Sequence, residues 1–246
     1  MKKKVVVIGA TGDVGRGIVE ALLRRGHHVA AAARNRERLT ALLEDLLGPD
    51  TLHAVPGSLD SDERAAALAG DVRKIFSSLD AVVVSVNSPR RPAPLLTHSS
   101  DSLTALIRGD MVVHYTAARA FIPALNPNGV LIGIGGGSAD FILREGVPQS
   151  MGQAGLRMLY RGLAQELLDA SVQVRQLIIA SIVNGRSTRD GADPQWVTDA
   201  EIGEQVAAIL EDPSAFPGPI LRIARRDESG RPVFSAEAPT RAQGFR

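Results

Sequence analysis

Seven short, β-branched runs punctuate the chain: Lys4–Ile8, Val29–Ala33, Thr51–Pro56, Ala81–Ser85, Val130–Ile134, Val174–Ile179 and Pro219–Ile223. Longer segments with apolar residues at helical spacing lie between them: Val14–Arg25, Glu37–Leu47, Asp62–Phe76, Leu103–Ala124, Gly152–Ala170 and Asp199–Leu210. One helix after each strand implies right-handed βαβ crossovers, a parallel sheet and helices on both of its faces. The pattern predicts a single-domain α/β protein built on a doubly wound, seven-stranded parallel sheet. Ligands of such sheets bind at the C-terminal ends of the strands. Residues 1–225 contain no repeat and no linker, whereas the polar tail 226–246 reads as separable. It is expected to be disordered, or to lie as an arm over a neighbouring subunit.

Composition narrows this picture. The 246 residues are 44% hydrophobic and 22% charged, enough for one well-buried α/β core. A net charge of +1 gives no reason to expect nucleic acid as a partner. The absence of cysteine removes disulfides, thiolate metal sites and a cysteine nucleophile, and no other cluster has metal-ligand spacing. The start Met1-Lys2-Lys3-Lys4 leads into an apolar run too short for a signal-peptide core. No stretch approaches a membrane span, and a cytoplasmic protein is expected.

The first strand runs into Gly9-Ala10-Thr11-Gly12-Asp13-Val14-Gly15, and a helix follows. Gly9 permits a tight turn, Gly12 a close approach of backbone to a pyrophosphate, and Gly15 close packing of helix on strand. The N–H groups at the helix start, from Thr11 to Val14, then face the phosphates. This spacing points to a dinucleotide. Asp13 is a discordant negative charge, and we read it as a cap of the helix N-terminus. An NAD site usually carries an acid at the end of the second strand for the ribose 2′-hydroxyl. Here that strand ends Ala31-Ala32-Ala33-Arg34. A guanidinium in that place suits a 2′-phosphate and therefore NADP. Arg36 and Arg38 fall at a helix start and are expected to be solvated.

From Val5 to Leu39, with Gly-Ala-Thr-Gly and Ala-Arg-Asn-x-x-Arg-Leu, the chain resembles the short-chain dehydrogenases/reductases. The resemblance continues through Asp80-Ala81-Val82-Val83, Phe121-Ile122-Pro123, Gln153-Ala154-Gly155-Leu156 and Ala164-Gln165-Glu166-Leu167. It implies a Rossmann fold and nicotinamide chemistry on a small-molecule substrate. It also implies cofactor contacts at Ser58 and Leu59 on the adenine side, at Val86 and Asn87 after the fourth strand, and at Ile182 and Asn184 for the carboxamide. Gln153 stands where a family lysine holds the ribose.

The resemblance fails at the reaction end. Family members carry Asn, Ser and Tyr-x-x-x-Lys for proton transfer and carbonyl orientation. Counted from Pro123 and Gly129, those positions hold Asp110, Gly136, Gln149 and Gln153. Glutamine cannot titrate, though its amide can donate a hydrogen bond. Gln149 and Gln153 therefore either orient a ligand or sit on a helix surface. Asp110 and His114, one turn apart, form either an acid–base pair or a buried contact. Ser138 is a further candidate donor, and His98 and Ser99 lie in a Pro-rich stretch, 88–100, that reads as a substrate lid. The residues leave three functions open: an NADP-dependent reductase of altered mechanism, an idle NADP-binding sensor or scaffold, and a non-redox cyclase or isomerase. Leu156, Leu159, Tyr160, Leu163 and Leu167 form an apolar stripe that predicts a homodimer or homotetramer.

Overall fold

A computed structural model describes residues 2–89 and 92–237. Its first strand, β1 (Lys4–Ile8), is apolar on both faces because it lies mid-sheet with helices on either side. Val5 and Val7 point into one core, with Ile18 and Leu22 of α1 (Asp13–Arg24) and Ile202 and Val206 of α7 (Asp199–Glu211). Val6 and Ile8 point into the other, with Leu68 and Val72 of α3 (Asp62–Ile75), Phe121 of α5 (Val113–Phe121), and Leu156 and Tyr160 of α6 (Val147–Glu166). The two-residue period of the strand thus divides the molecule into three layers.

The remaining strands are β2 (His28–Ala33), β3 (Leu52–Pro56), β4 (Leu79–Val84), β5 (Leu125–Gly136), β6 (Val172–Ala180), β9 (Ile220–Arg226) and β10 (Pro232–Ala236). A separate two-residue ladder joins β7 (Val183–Asn184) to β8 (Val197–Thr198). The main sheet runs β10-β9-β6-β5-β4-β1-β2-β3, all parallel except β10. The chain builds outward from β1 through β2 and β3, then crosses back to β4 on the other flank of β1. That reversal opens a crevice beyond the C-terminal ends of β1, β2 and β4.

The sheet therefore has eight strands where the sequence predicts seven, and the eighth comes from the presumed tail. β10 turns back antiparallel on β9, with Phe234 edge-on to Phe216 at 5.3 Å. Arg161 and Arg157 pair with Glu237 just beyond it. Val233, Ser235 and Ala236 are exposed while Pro232 and Phe234 are half-buried, as suits an outer, half-solvated edge. The rest of the expected tail, 238–246, lies outside the described residues.

The long helix expected over Leu103–Ala124 is also interrupted. It comprises α4 (Ser100–Ile107), a π-helical turn over Arg108–Val112, and α5. The wider turn rotates everything after it, so residues four apart across it no longer face one another. α6 begins at Val147, five residues before the expected start, because Pro148 suits a first turn where no intrahelical N–H is needed. α2 (Arg36–Asp45) completes the helices, capped by Asn35, whose side chain accepts from Arg38 N at 2.8 Å.

Candidate active site

The crevice beyond β1, β2 and β4 is a cleft of about 480 Å³ walled by the loop after β1, by Ala33–Asn35, by Gly57–Asp60 and by Ser85–Pro89. Gly9 has φ +89°, and a Cβ there would lie 2.1 Å from the Ser85 carbonyl oxygen. A Cβ on Gly15 would meet the Gly9 oxygen at the same distance. Both glycines are forced by backbone approach, as the spacing predicts. Gly12 is different: it is exposed, and a Cβ would reach nothing closer than 3.6 Å. It caps α1 without a side-chain hydrogen bond, which leaves the first-turn N–H groups without a side-chain acceptor from the cap. Thr11 lines the cleft, whereas Val14 is not among its walls and packs against the core.

Asp13 does not cap the helix, contrary to the expectation. It is the first helical residue, and its carboxylate accepts from Ser187 N at 3.2 Å and from the Ser187 hydroxyl. Those donors draw its charge away from the cleft. A second tie runs beside it, with Arg16 and Arg186 both 2.7 Å from Asp45. These arginines hold the Asp45 carboxyl below the usual range. Arg38 is not simply solvated either, because its Nη2 donates to Thr11 O at 2.8 Å. Arg34 lines the cleft at the end of β2, exposed, with no carboxylate partner among the described residues. Arg36 is solvated as expected.

Ser58 and Leu59 line the same cleft, Leu59 buried and Ser58 half-buried. So do Val86 and Asn87, each held from behind. His114 Nε2 donates to Val86 O at 2.9 Å, and Gln153 Nε2 donates to Asn87 Oδ1 at 3.0 Å. Ile182 and Asn184 are not among its walls, since Ile182 is exposed and Asn184 belongs to the small β7–β8 ladder.

At the reaction end, Gln153 is only 2% exposed, so it is no helix-surface residue. Its Oε1 accepts from Gly136 N at 2.7 Å, tying the end of β5 to the Asn87 loop. Gly136 itself has room, because a Cβ there would sit 3.7 Å from Gln153 Oε1. Ser138 is buried in a short turn and lines neither this cleft nor the small pocket beside it. Ser99 caps α4, accepting from Ser102 N at 3.2 Å, so the presumed lid ends as a helix start. His98 Nδ1 lies 3.4 Å from Ser102 Oγ.

Asp110 and His114 do not meet, because the π turn separates them. His114 Nδ1 accepts from the Tyr160 hydroxyl at 3.1 Å, and burial pushes its pKa down to about 4. It is a neutral, fully bonded core residue. Tyr160 is buried against Gly133, where a Cβ would lie 2.1 Å from the ring, and burial raises its phenol. Asp110 Oδ1 accepts from Ser88 N at 2.7 Å. Its Oδ2 is buried with no partner among the described residues, and burial raises the pKa to about 6 despite the Ser88 bonds. Gln149 Oε1 is likewise buried and unpartnered. Both residues line one small pocket with Ser88 and Pro89, which also wall the main cleft. Sequence reasoning missed Ser88 and Ser187 and read Arg38 as solvated, because donors that act across loops carry no spacing signal.

The short chain dehydrogenase family profile matches residues 3–190, and the chain belongs to that family. An uncharacterized oxidoreductase of Staphylococcus aureus (strain MRSA252) is 23% identical over 214 residues, covering 86% of this chain and 92% of the relative. The uncharacterized oxidoreductase YvrD of Bacillus subtilis (strain 168) is 22% identical over 204 residues, covering 78% and 77%. Among solved structures, a metagenomic short-chain oxidoreductase in complex with NADP has a TM-score of 0.73 at 24% identity, covering 85% of this chain and 90% of its own. The Pseudomonas aeruginosa RhlG/NADP active-site complex has a TM-score of 0.78 at 19% identity, covering 90% and 94%. At these identities the structural likeness establishes the fold alone.

Proposed function

We propose that the protein is an NADP-dependent reductase whose acceptor is activated by its own charge or conjugation. The observation that carries this reading is the Arg34 guanidinium, without a carboxylate partner among the described residues, in a cleft beside a helix start that Gly12 caps without a side-chain hydrogen bond. The chain's donors fit a dinucleotide with an extra phosphate. The N–H groups after Gly12 suit a pyrophosphate, Arg34 suits a 2′-phosphate, and Ser58 and Leu59 border the adenine side. Reduced NADP would supply a hydride.

At the other end the chain supplies little. Gln153 spends both halves of its amide on Gly136 and Asn87, and Gln149 cannot titrate. Gly136 offers no hydroxyl. A simple ketone needs its oxygen polarised as the hydride arrives, a service worth roughly 10²–10⁴ in rate. A cationic imine or a conjugated carbonyl needs it far less. At the end of β5 only Gly136 leaves open space, because a Cβ on Gly135 or Gly137 would meet Gln176 or the Ala180 backbone.

The stripe on α6 does not supply the expected interface, since Leu156 and Tyr160 are fully buried in the sheet-facing core and Leu159, Leu163 and Leu167 pack against it. The outward faces of α5 and α6 expose Tyr115, Met151 and Met158 instead. We take these as the contact of a homodimer or homotetramer, which light scattering at micromolar concentration reads directly. Among the described residues no helix is long and apolar enough to cross a membrane. Anaerobic NADPH titration by fluorescence, followed by turnover assays on ketones, enones and cyclic imines, tests the function. Tight NADPH binding with turnover of the latter two classes is expected. Absence of NADPH binding overturns it.

A further inference from the structure

Two buried oxygens of this site have no donor among the described residues. Asp110 is 1% exposed, and its carboxyl packs onto Gly152 of α6, where a Cβ would lie 2.8 Å from Oδ2. Oδ1 is satisfied by Ser88 N; Oδ2 is not. Across the same pocket stands Gln149, whose buried Oε1 is also unsatisfied. The pocket holds about 10 Å³, the scale of a single water molecule. Two buried acceptors on the lining of one pocket, with no donor among the described residues, are costly, so a hydrogen supplied there is the physical expectation. A carboxyl that keeps its own proton provides one.

We propose that Asp110 holds the exchangeable proton of the reaction end and releases it from Oδ2, through one water-sized relay beside Gln149, to an acceptor in the cleft. This rests on the reductase reading above and narrows its substrate class to conjugated carbonyls. Hydride addition to a cationic imine yields a neutral amine and calls for no proton. Hydride addition to the β-carbon of an enone moves the double-bond electrons into an enolate, which must then take one. That proton leaves Asp110, an O–H or C–H bond forms on the enolate, and the carboxylate recovers a proton from solvent. The route runs past Ser88 and Pro89, the residues that wall both the small pocket and the cleft. The π-helical turn is what sets Asp110 there.

Among the described residues no charged group around Asp110 pairs with its carboxyl. In its own segment, Arg108 donates to Asp60 O at 2.7 Å. On α5, His114 faces Val86 and Tyr160, and Arg119 pairs with Asp62. On α6, Arg157 and Arg161 pair with Asp140 and Glu237, and Glu166 is exposed. On α4 and just before it, Asp101 is exposed and His98 meets Ser102. None pairs with the Asp110 carboxyl, whose elevation to about 6 comes from burial against the Ser88 hydrogen bonds.

The test uses the whole protein and its Asp110→Asn variant, with cyclohex-2-enone as the probe acceptor. Difference infrared spectra of the protein without cofactor, titrated from pH 5 to 8, should show a buried protonated-carboxyl band that disappears near pH 6. Asp110→Asn should lack it. NADPH oxidation with the probe should fall with the same titration, and in Asp110→Asn it should be at least about 100-fold slower at pH 6 and independent of pH. NADPH affinity should be the same in both proteins. If NADPH binds but no such band titrates, or the variant keeps its rate, Asp110 does not hold the proton and only this inference falls. If NADPH does not bind at all, the reductase reading falls and the delivery step with it. The unmodified protein's own pH-difference spectrum decides the first question even if the variant fails to fold.

Discussion

Gln153 on α6 and Asn87 after β4 are joined by a 3.0 Å hydrogen bond, and the same glutamine accepts from Gly136 N at 2.7 Å. One side chain thereby fixes the C-terminal ends of two adjacent strands, at the place where the cleft must keep its shape. Gln153→Leu keeps the bulk and strands both partners. Gly136 is half-buried and Asn87 exposed, so water serves the stranded groups in part and the loss falls at the lower end of the roughly 1–3 kcal/mol that an unpaired buried group costs. At roughly 2–4 °C per kcal/mol for a chain of this size, the melting temperature should drop by several degrees. A shift within one degree would show that the clamp contributes nothing.

Arg34 sets the cofactor preference. NADPH should bind at least tenfold tighter than NADH, about 1.4 kcal/mol. Arg34→Asp should erase or invert this, because the new carboxylate repels the 2′-phosphate and accepts the ribose 2′-hydroxyl. Equal affinities in the unmodified protein, measured by fluorescence titration, would remove Arg34 from the site.

Asp110 should also leave a mark on stability against pH. Its folded pKa of about 6 exceeds the usual 3.8, so the folded state binds the proton more tightly. Stability from this group is complete below about pH 4, is lost as pH rises through about 6, and stays lost above. The two-unit shift sets an upper bound of about 3 kcal/mol. His114 works in the opposite sense over nearly the same window, since its lowered pKa of about 4 costs stability as pH falls below 6.5. The two slopes partly cancel in the unmodified protein, so the comparison must be made against Asp110→Asn. That variant keeps an acceptor for Ser88 and gives Gln149 a donor. It should melt several degrees higher than the parent at pH 7.5 and no higher at pH 4. Equal melting temperatures at pH 7.5 would mean that the carboxyl is not destabilised by burial.

Much of this could be read from the chain because strand and helix periods are local. β1 appears with its expected bounds, and Gly9 and Gly15 are where backbone contact forbids a Cβ. β10 was hidden because Pro232-Val233-Phe234-Ser235-Ala236 is a short, half-exposed run set between the polar stretch Asp227–Arg231 and Glu237, so its few apolar residues do not stand out. The separation of Asp110 from His114 was hidden because one π turn changes which residues share a face, and no residue type announces such a turn. Gln153 was ambiguous for another reason: a buried amide and a surface amide look alike until the donors across the loop are in place.

The last prediction concerns the two glutamines together. Gln149→Tyr with Gln153→Lys restores the family's Tyr-x-x-x-Lys frame on α6, yet it should raise ketone reduction by less than about tenfold, against the roughly 10²–10⁴ that a positioned acid supplies. Gln153→Lys would remove the acceptor that Gly136 N uses, leave only an ammonium donor to meet Asn87 Oδ1, and place a cation in a site only 2% exposed. Gly136 would still bring no hydroxyl to the carbonyl oxygen. Asp110 cannot make up the difference for a ketone, because it is buried and reaches the cleft only by relay, whereas a ketone oxygen needs a donor in contact during hydride arrival. An enolate can wait for a relayed proton; a ketone transition state cannot. Adding Gly136→Ser should be sterically harmless, since a Cβ there is 3.7 Å from its nearest neighbour. The triple variant should therefore be the first to gain ketone activity, in steady-state NADPH oxidation with a bulky ketone. Ketone turnover at tens per second by the unmodified protein would show that a contacting proton donor exists outside these four positions.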